Sequence, residues 1–180
     1  MSRDLPRIYW DSAAWIAYIN REMPAPNNSI KDNRYDMCRA TLERANKKEI
    51  EIVTSALTLA EVCKRADMNS PANNLPAFFQ QPYILVIPID TQVGRKAQYL
   101  QLAGSVKKKP ADALHIASAL IANVPVFHTF DDYLLSLNGA LTLDDGNKLQ
   151  VVKPTEEIPL PPLLELARKQ ADEDKTDEGK

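Results

Sequence analysis

The sequence lacks the features that mark several large classes of protein. No apolar run reaches the ~18 residues that a membrane-spanning helix needs. Cysteine is scarce: Cys38 and Cys63 lie in helical patterns without metal-ligand spacing, and we expect both to be reduced core thiols. The first residues are polar and lead into a strand, so a signal peptide is not expected. Together these features predict a cytoplasmic globular protein.

An excess of positive charge is also missing. The 180 residues carry a formal net charge of −2, with a pI near 5.7, whereas a protein that coats nucleic acid is usually basic. Any contact with nucleic acid must therefore be local, or be helped by a metal ion or a partner. The chain has no G-x-x-x-x-G-K-[ST] loop for nucleotide binding and no internal repeat.

Strand and helix patterns alternate along the chain, which indicates a parallel sheet of four or five strands covered on both faces. The apolar runs of the strands are continuous, as in buried parallel sheets. The predicted strands are Arg7–Trp10, Glu49–Thr54, Tyr83–Ile89, Pro125–Thr129 and Leu149–Val152. The predicted helices are Ser12–Asn20, Lys31–Lys48, Ser55–Met68, a short one within Asn69–Gln81, Thr91–Leu102, Pro110–Ile121, Asp132–Leu137 and a weak one over Leu163–Gln170.

Three acidic residues occupy comparable places in this pattern, and a fourth lies at the start of the helix before the strand Pro125–Thr129. Asp11 directly follows the first strand, and Asp131 directly follows the strand Pro125–Thr129. Glu61 lies on the helix after the second strand, and Asp112 lies in the first turn of the helix that opens at Pro110. If the strands involved are neighbours, all four carboxylates meet at the carboxyl edge of the sheet, where sites form in open α/β folds.

Such a cluster predicts a particular chemistry. Carboxylates a few ångströms apart repel each other strongly unless they are protonated, paired with bases or bridged by cations. Hard oxygen ligands suit Mg²⁺ or Mn²⁺, and the sequence has no histidine–cysteine set that competes for a metal. A carboxylate site with one or two such ions supports phosphodiester hydrolysis.

Four segments in this order resemble the PIN-domain nucleases, in particular the VapC-like toxins. They cover roughly residues 6–137 and are Ile8-Tyr-Trp-Asp-Ser, Val53-Thr-Ser-Ala-Leu-Thr-Leu-Ala-Glu-Val, Pro110-Ala-Asp-Ala-Leu-His-Ile-Ala-Ser-Ala and Val126-Phe-His-Thr-Phe-Asp. The resemblance implies a three-layer α/β/α sandwich, dependence on Mg²⁺ or Mn²⁺ and RNA endonuclease activity. We expect a nuclease domain over residues 1–153. The extension over 154–180, with several prolines and a charged end at Asp172–Lys180, is extra to the family pattern and is expected to be partly disordered.

The resemblance also implies roles for single residues. Asp11, Glu61, Asp112 and Asp131 would hold the metal and position the attacking water, and the Thr129 hydroxyl would support them. Ser12 and Asp132 are further supporting candidates, with Asp132 ranked below Asp131. The run Lys107–Lys109 precedes Asp112 and either contacts RNA phosphates or forms a solvated loop.

Each acid also has a purely structural interpretation. Asp11 is a favoured N-cap for the helix that follows it, and Asp112 suits the helix dipole. Glu61 completes a possible capping box with Thr58, although Ser55 is an equally good cap one turn earlier. Asp131 could cap the next helix, a role for which Asp132 is better suited. His115 is expected to be a structural hydrogen-bonding residue, with orientation of a carboxylate or phosphate as the alternative.

The leading hypothesis is the toxin of a toxin–antitoxin pair, with RNA as substrate, a small antitoxin as partner and a homodimer as assembly. Apolar residues available for a dimer would be Trp15, Phe78 and Phe79. The alternatives are a non-toxin RNA-processing nuclease of the same family, or a PIN-like module that binds RNA or protein without cutting. A haloacid-dehalogenase-type phosphatase would need Asp at position 13, where the chain has Ala13.

Overall fold

A computed structural model describes residues 5–25, 31–65 and 75–155, with the side chains of residues 64 and 65 excepted. The strands are β1 Arg7–Trp10, β2 Glu51–Ser55, β3 Ile84–Ile87, β4 Val126–His128 and β5 Gln150–Val152. The helices are α1 Ser12–Ile19, α2 Arg34–Asn46, α3 Ala56–Arg65, α4 Leu75–Phe78, α5 Thr91–Leu102, α6 Pro110–Ile121 and α7 Asp132–Leu135. No helix among these residues is both long enough and apolar enough to cross a bilayer.

The strands form one five-stranded sheet in the order β3-β2-β1-β4-β5, and every neighbouring pair is parallel. The predicted α/β architecture is confirmed, since helices cover both faces of this sheet. The first strand of the chain lies at the centre, with Tyr9 in register with Val53 of β2 and Phe127 of β4. The carboxyl ends of β1, β2 and β4 therefore lie side by side.

Alternation of side chains along β1 divides the core into two layers. Ile8 and Trp10 point to one face and pack with residues of α1 and α2, including Trp15 and Cys38. Tyr9 points to the other face and packs with residues of α5 and α6, and its ring stacks on Phe127 at 4.8 Å between centroids. These two apolar layers on either side of the sheet make the three-layer sandwich.

Two expectations about apolar residues were wrong. Trp15 is fully buried and Phe79 nearly so, and both rings pack edge to face in the core beneath α1. They therefore offer no surface to a second copy, and the homodimer remains a prediction without the support assigned to them. Cys38 is buried as expected, but Cys63 is exposed on α3, because the inward face of that helix is occupied by Val62.

Helix boundaries differ from the expected ones where polar caps determine them. The second helix begins at Arg34 rather than Lys31, since the Asn33 side chain accepts from the Asp36 amide at 3.1 Å and caps it. The arginines of this helix are paired with Glu22, Asp36, Glu43 and Glu49. Residues 66–74 and the helix expected over Leu163–Gln170 lie outside the described residues, as do residues 156–180 of the extension.

Candidate active site

A cleft of about 250 Å³ opens at the carboxyl edge of the sheet. It lies between α1, α3, α6 and the segment that follows β4. All four of the predicted acids line it, although they are up to 120 positions apart in the chain. The residues that line it are Asp11, Ser12, Ala13, Ile16, Glu61, Lys109, Ala111, Asp112, His115, Asp131 and Leu134.

Asp11 is the most tightly held of the acids. It is 3% exposed and is the N-cap of α1, where its Oδ1 accepts from the Ala14 amide at 3.0 Å. Its other oxygen, Oδ2, accepts from the Thr129 hydroxyl at 2.5 Å. The capping interpretation is therefore correct, and it does not exclude a place in the cleft, which Asp11 also lines.

Thr129 connects Asp11 to Asp131. Its side chain is fully buried directly after β4, and its oxygen also accepts from the Asp131 amide at 3.0 Å. Asp131 in turn caps α7, because its Oδ1 accepts from the amides of Tyr133 and Leu134 at 2.8 and 3.2 Å. Asp132 was the expected cap of this helix, but it is instead its exposed first residue and is not among the residues that line the cleft.

Asp112 has a carboxylate oxygen without a partner. It is the third residue of α6, a helix that begins with Pro110 and whose N-cap residue, Lys109, makes no side-chain capping bond. The residue is 8% exposed, and its Oδ2 is buried with no hydrogen-bond partner. A buried acceptor left unpaired is costly, so this oxygen is better explained by a ligand than by the helix dipole alone.

Glu61 reaches the cleft from α3. Ser55 starts this helix, because its hydroxyl accepts from the Leu57 amide at 3.0 Å, while Thr58 is buried with its hydroxyl 2.8 Å from that of Thr54. Ser55 is thus the capping residue. Glu61 Oε2 lies 2.8 Å from His115 Nε2, across the cleft on α6.

His115 lines the same cleft, a place that was only the lesser alternative in the sequence. Its side chain is buried, and its Nδ1 lies 2.9 Å from the Tyr9 hydroxyl oxygen. The signal in the sequence was its spacing, since residues three apart on a helix share a face and His115 follows Asp112 by three positions. The residue type alone could not distinguish a core histidine from one beside a carboxylate.

Burial dominates the electrostatics of the cleft. Loss of hydration raises the pKa of Asp11 from 3.8 to about 6, with His115 and the Thr129 hydroxyl opposing the shift and Asp131 adding to it. Burial also raises the pKa of Asp112, against the effect of the Lys109 ammonium. Both carboxylates are therefore short of compensating positive charge.

Within the described part of the chain, no three or more His, Cys, Asp or Glu side chains are gathered closely enough to enclose a metal ion. The donor set nevertheless fits a hard divalent cation, because it consists of carboxylates and includes the unpartnered Asp112 oxygen. Mutual repulsion keeps carboxylates apart when no cation lies between them. The structure thus brings the four acids to one cleft without forming a closed cage of ligands.

The remaining predicted residues occupy different places. Ser12 lines the cleft, and so does Lys109 from its rim. Lys108 instead lies over the Tyr133 ring, 4.8 Å from its centroid, and the Lys107 amide donates to the Tyr133 hydroxyl. These contacts hold Lys107 and Lys108 against Tyr133 of α7, and of the three lysines only Lys109 lies beside the acids.

Comparison with known proteins agrees with this architecture. The sequence model of the PIN domain matches residues 8–139. A similar fold is found in the crystal structure of Mycobacterium tuberculosis VapC20, described as a sarcin-ricin loop cleaving toxin. The two structures have a TM-score of 0.51 and 18% sequence identity, over 70% of this chain and 92% of that one. None of the curated proteins matches the sequence. Because the family model matches most of the length of this chain, the chain belongs to the PIN domain family.

Proposed function

We propose that this protein is a divalent-metal-dependent endoribonuclease that hydrolyses RNA phosphodiester bonds. The observation that carries the proposal is the meeting of four carboxylates in one cleft, with the Asp112 Oδ2 buried and unpartnered. Asp11, Glu61, Asp112 and Asp131 would hold Mg²⁺ or Mn²⁺. When bound, such an ion lowers the pKa of water and offsets negative charge that develops on phosphate.

The chain's own residues contribute orientation. Thr129 holds the Asp11 carboxylate while the α7 amides hold that of Asp131, so two of the acids are fixed before any ligand arrives. Lys109 at the rim supplies a positive charge that can contact a phosphate next to the scissile bond. Ile16 and Leu134 make part of the wall apolar, which limits water around the acids.

The biological role we propose is that of a toxin in a toxin–antitoxin pair, acting in the cytoplasm. VapC20, which shares the fold, is described as a toxin that cleaves the sarcin-ricin loop. A small antitoxin would inhibit the enzyme by covering the cleft, and an Arg or Lys side chain among the carboxylates would be the natural contact. A neighbouring reading frame that encodes a small DNA-binding protein would support this role over that of an RNA-processing nuclease.

We further propose that residues 1–153 form the nuclease domain, that the extension 154–180 is dispensable for cleavage, and that the protein is a homodimer. Deletion of residues 154–180 should leave the rate of RNA cleavage within a few-fold of that of the full chain. Complete loss of cleavage in a folded deletion variant would place the extension in the site. Light scattering of the full chain measures the assembly directly.

The decisive experiment is RNA cleavage by the full chain in Mg²⁺, in Mn²⁺ and in EDTA, with Asp112→Asn beside the wild type. We expect cleavage with either ion, none in EDTA and none by Asp112→Asn. Asp144→Asn, in an exposed turn away from the cleft, is the matched control and should cut normally. Equal cleavage by wild type and Asp112→Asn would refute the site.

A second candidate is a PIN-like module that binds RNA or protein without cutting. In the same experiment this module would retain RNA in a binding assay and produce no cleavage products with either ion. Calorimetric titration with Mn²⁺ separates the two candidates, since only the nuclease needs the ion in the cleft.

A further inference from the structure

A buried run of hydrogen bonds leads from the sheet to Glu61. Tyr9 lies within β1 and is completely buried, and its hydroxyl oxygen is 2.9 Å from His115 Nδ1. The opposite ring nitrogen of His115, Nε2, is 2.8 Å from Glu61 Oε2. Because these residues come from β1, α6 and α3, the contacts connect the centre of the sheet to a carboxylate at the cleft.

The donors and acceptors in this run fix its direction. Burial raises the pKa of Tyr9 well above its ordinary value, so the phenol keeps its proton and can donate it to His115 Nδ1. If Tyr9 donates to Nδ1 of a neutral His115, the ring proton must sit on Nε2, where it faces Glu61. The other tautomer would set an unprotonated nitrogen against a carboxylate oxygen, which is also an acceptor.

We infer that His115 is a positioning residue for Glu61, which it orients through the Nε2 hydrogen bond with its tautomer set by Tyr9. This inference rests on the proposed function. Glu61 has the longest side chain of the four acids, and 28% of it is exposed. Asp11 and Asp131 are oriented by backbone amides and by Thr129. His115 gives Glu61 the corresponding restraint, so less side-chain freedom is lost when a cation or phosphate binds.

Three substitutions test the inference in the full chain. His115→Leu removes both hydrogen bonds, whereas His115→Gln keeps a donor and an acceptor on one side chain. Tyr9→Phe leaves His115 in place but removes the group that sets its tautomer. We expect His115→Leu to lower the Mn²⁺ affinity and the cleavage rate by ~10–100-fold, the usual effect of removing a residue that orients a ligand. His115→Gln should recover most of both losses.

A measurement on metal-free protein separates positioning from mere packing. The chain has two histidines, so the ring nitrogens of both can be followed in a ¹H–¹⁵N imidazole spectrum. We expect His115 to carry its proton on Nε2 in the wild type and to shift towards a mixture of tautomers in Tyr9→Phe. His128 is the internal control, because its Nδ1 accepts from Trp10 Nε1 at 3.1 Å rather than from the Tyr9 hydroxyl.

The outcomes are distinct. A proton on Nδ1 of His115 in the wild type, or wild-type Mn²⁺ affinity and cleavage by a folded His115→Leu, overturns the inference. If His115→Leu does not fold, the test uses the His115 tautomer and the Mn²⁺ affinity of Tyr9→Phe. The inference is wrong if neither of them differs from that of the wild type. If the wild type cuts no RNA, the proposed function fails alone. The inference then stands only if His115→Leu binds Mn²⁺ more weakly than His115→Gln does.

Discussion

Thr129 donates its hydroxyl proton to Asp11 across the junction of two neighbouring strands, with 2.5 Å between the oxygens. The contact follows from register. Trp10 of β1 pairs with His128 of β4, and Asp11 and Thr129 are the next residues along the chain. The same Thr129 oxygen accepts from the Asp131 amide. One hydroxyl therefore contacts the carboxylate of one acid of the cleft and the backbone amide of another.

Thr129→Val tests the importance of this hydroxyl with almost no change in volume. We expect RNA cleavage to fall by ~10–100-fold, because Asp11 loses the group that orients it and the Asp131 amide loses its acceptor. Thr129→Ser is the matched control, since it keeps the oxygen. Steady-state cleavage rates at saturating Mn²⁺, with thermal unfolding of each variant, provide the measurement. If Thr129→Val cleaved RNA as fast as Thr129→Ser, this role of the hydroxyl would be contradicted.

Two adjacent acids should differ sharply in their effect. Asp131 lines the cleft while Asp132 is exposed at the start of α7. Asn is as good an N-cap as Asp, so Asp131→Asn should fold normally and lose cleavage by about 100-fold or more. Asp132→Asn should cut at nearly the wild-type rate. Comparison of the two rates in one assay is enough, and the reverse order would show that the assignment of these carboxylates is mistaken.

The raised pKa of Asp11 predicts how the stability of the metal-free protein depends on pH. The carboxyl binds its proton more tightly in the folded chain, with a pKa of about 6, than in the unfolded chain, where it is 3.8. The contribution of this carboxyl to the free energy of unfolding is therefore complete below pH 4, and it is lost as the pH rises through 6. The loss amounts to about 3 kcal/mol of unfolding free energy.

Urea unfolding in EDTA between pH 4 and pH 7 measures this loss. The difference between wild type and Asp11→Asn isolates the one group, since other titrations are common to both proteins. Mn²⁺ should restore the stability of the wild type above pH 6 because it binds the folded form. A difference between the two proteins that does not vary with pH would show that Asp11 is not buried as a weak acid.

Lys109 is the one lysine of its run that lines the cleft, whereas Lys108 is directed to the Tyr133 ring. Lys109→Gln in the inactive Asp112→Asn background should weaken RNA binding and reduce the dependence of log affinity on log salt concentration by about 0.7. Lys47→Gln, at an exposed position after α2, is the control. Equal salt dependence for the two variants would remove Lys109 from the RNA contact.

Much of the fold could be predicted because its determinants are local. Alternating strand and helix patterns give a parallel sheet, and an acid directly after a strand must lie at its carboxyl edge. Asp11 and Asp131 could be assigned to the cleft for this reason. Asp11 and Asp131 also cap α1 and α7, and both nevertheless line the cleft.

What could not be predicted depends on how helices rotate against one another. The separation of Glu61 and His115 along the chain does not predict that α3 and α6 bring Glu61 Oε2 within 2.8 Å of His115 Nε2. The burial of Trp15 beneath α4 likewise depends on tertiary packing rather than on the period of its own helix. The cap of α7 was misassigned to Asp132 because two consecutive acids satisfy the same sequence rule.

The central position of β1 has a consequence for synthesis of the protein. In the growing chain β1 must wait for β4, more than a hundred residues later, to occupy its second edge. A nascent chain that ends just before β4 already contains Asp11, Glu61 and Asp112, but it lacks Asp131 and the hydroxyl that orients Asp11. Translation itself therefore delays assembly of the acidic cleft until most of the polypeptide has left the ribosome.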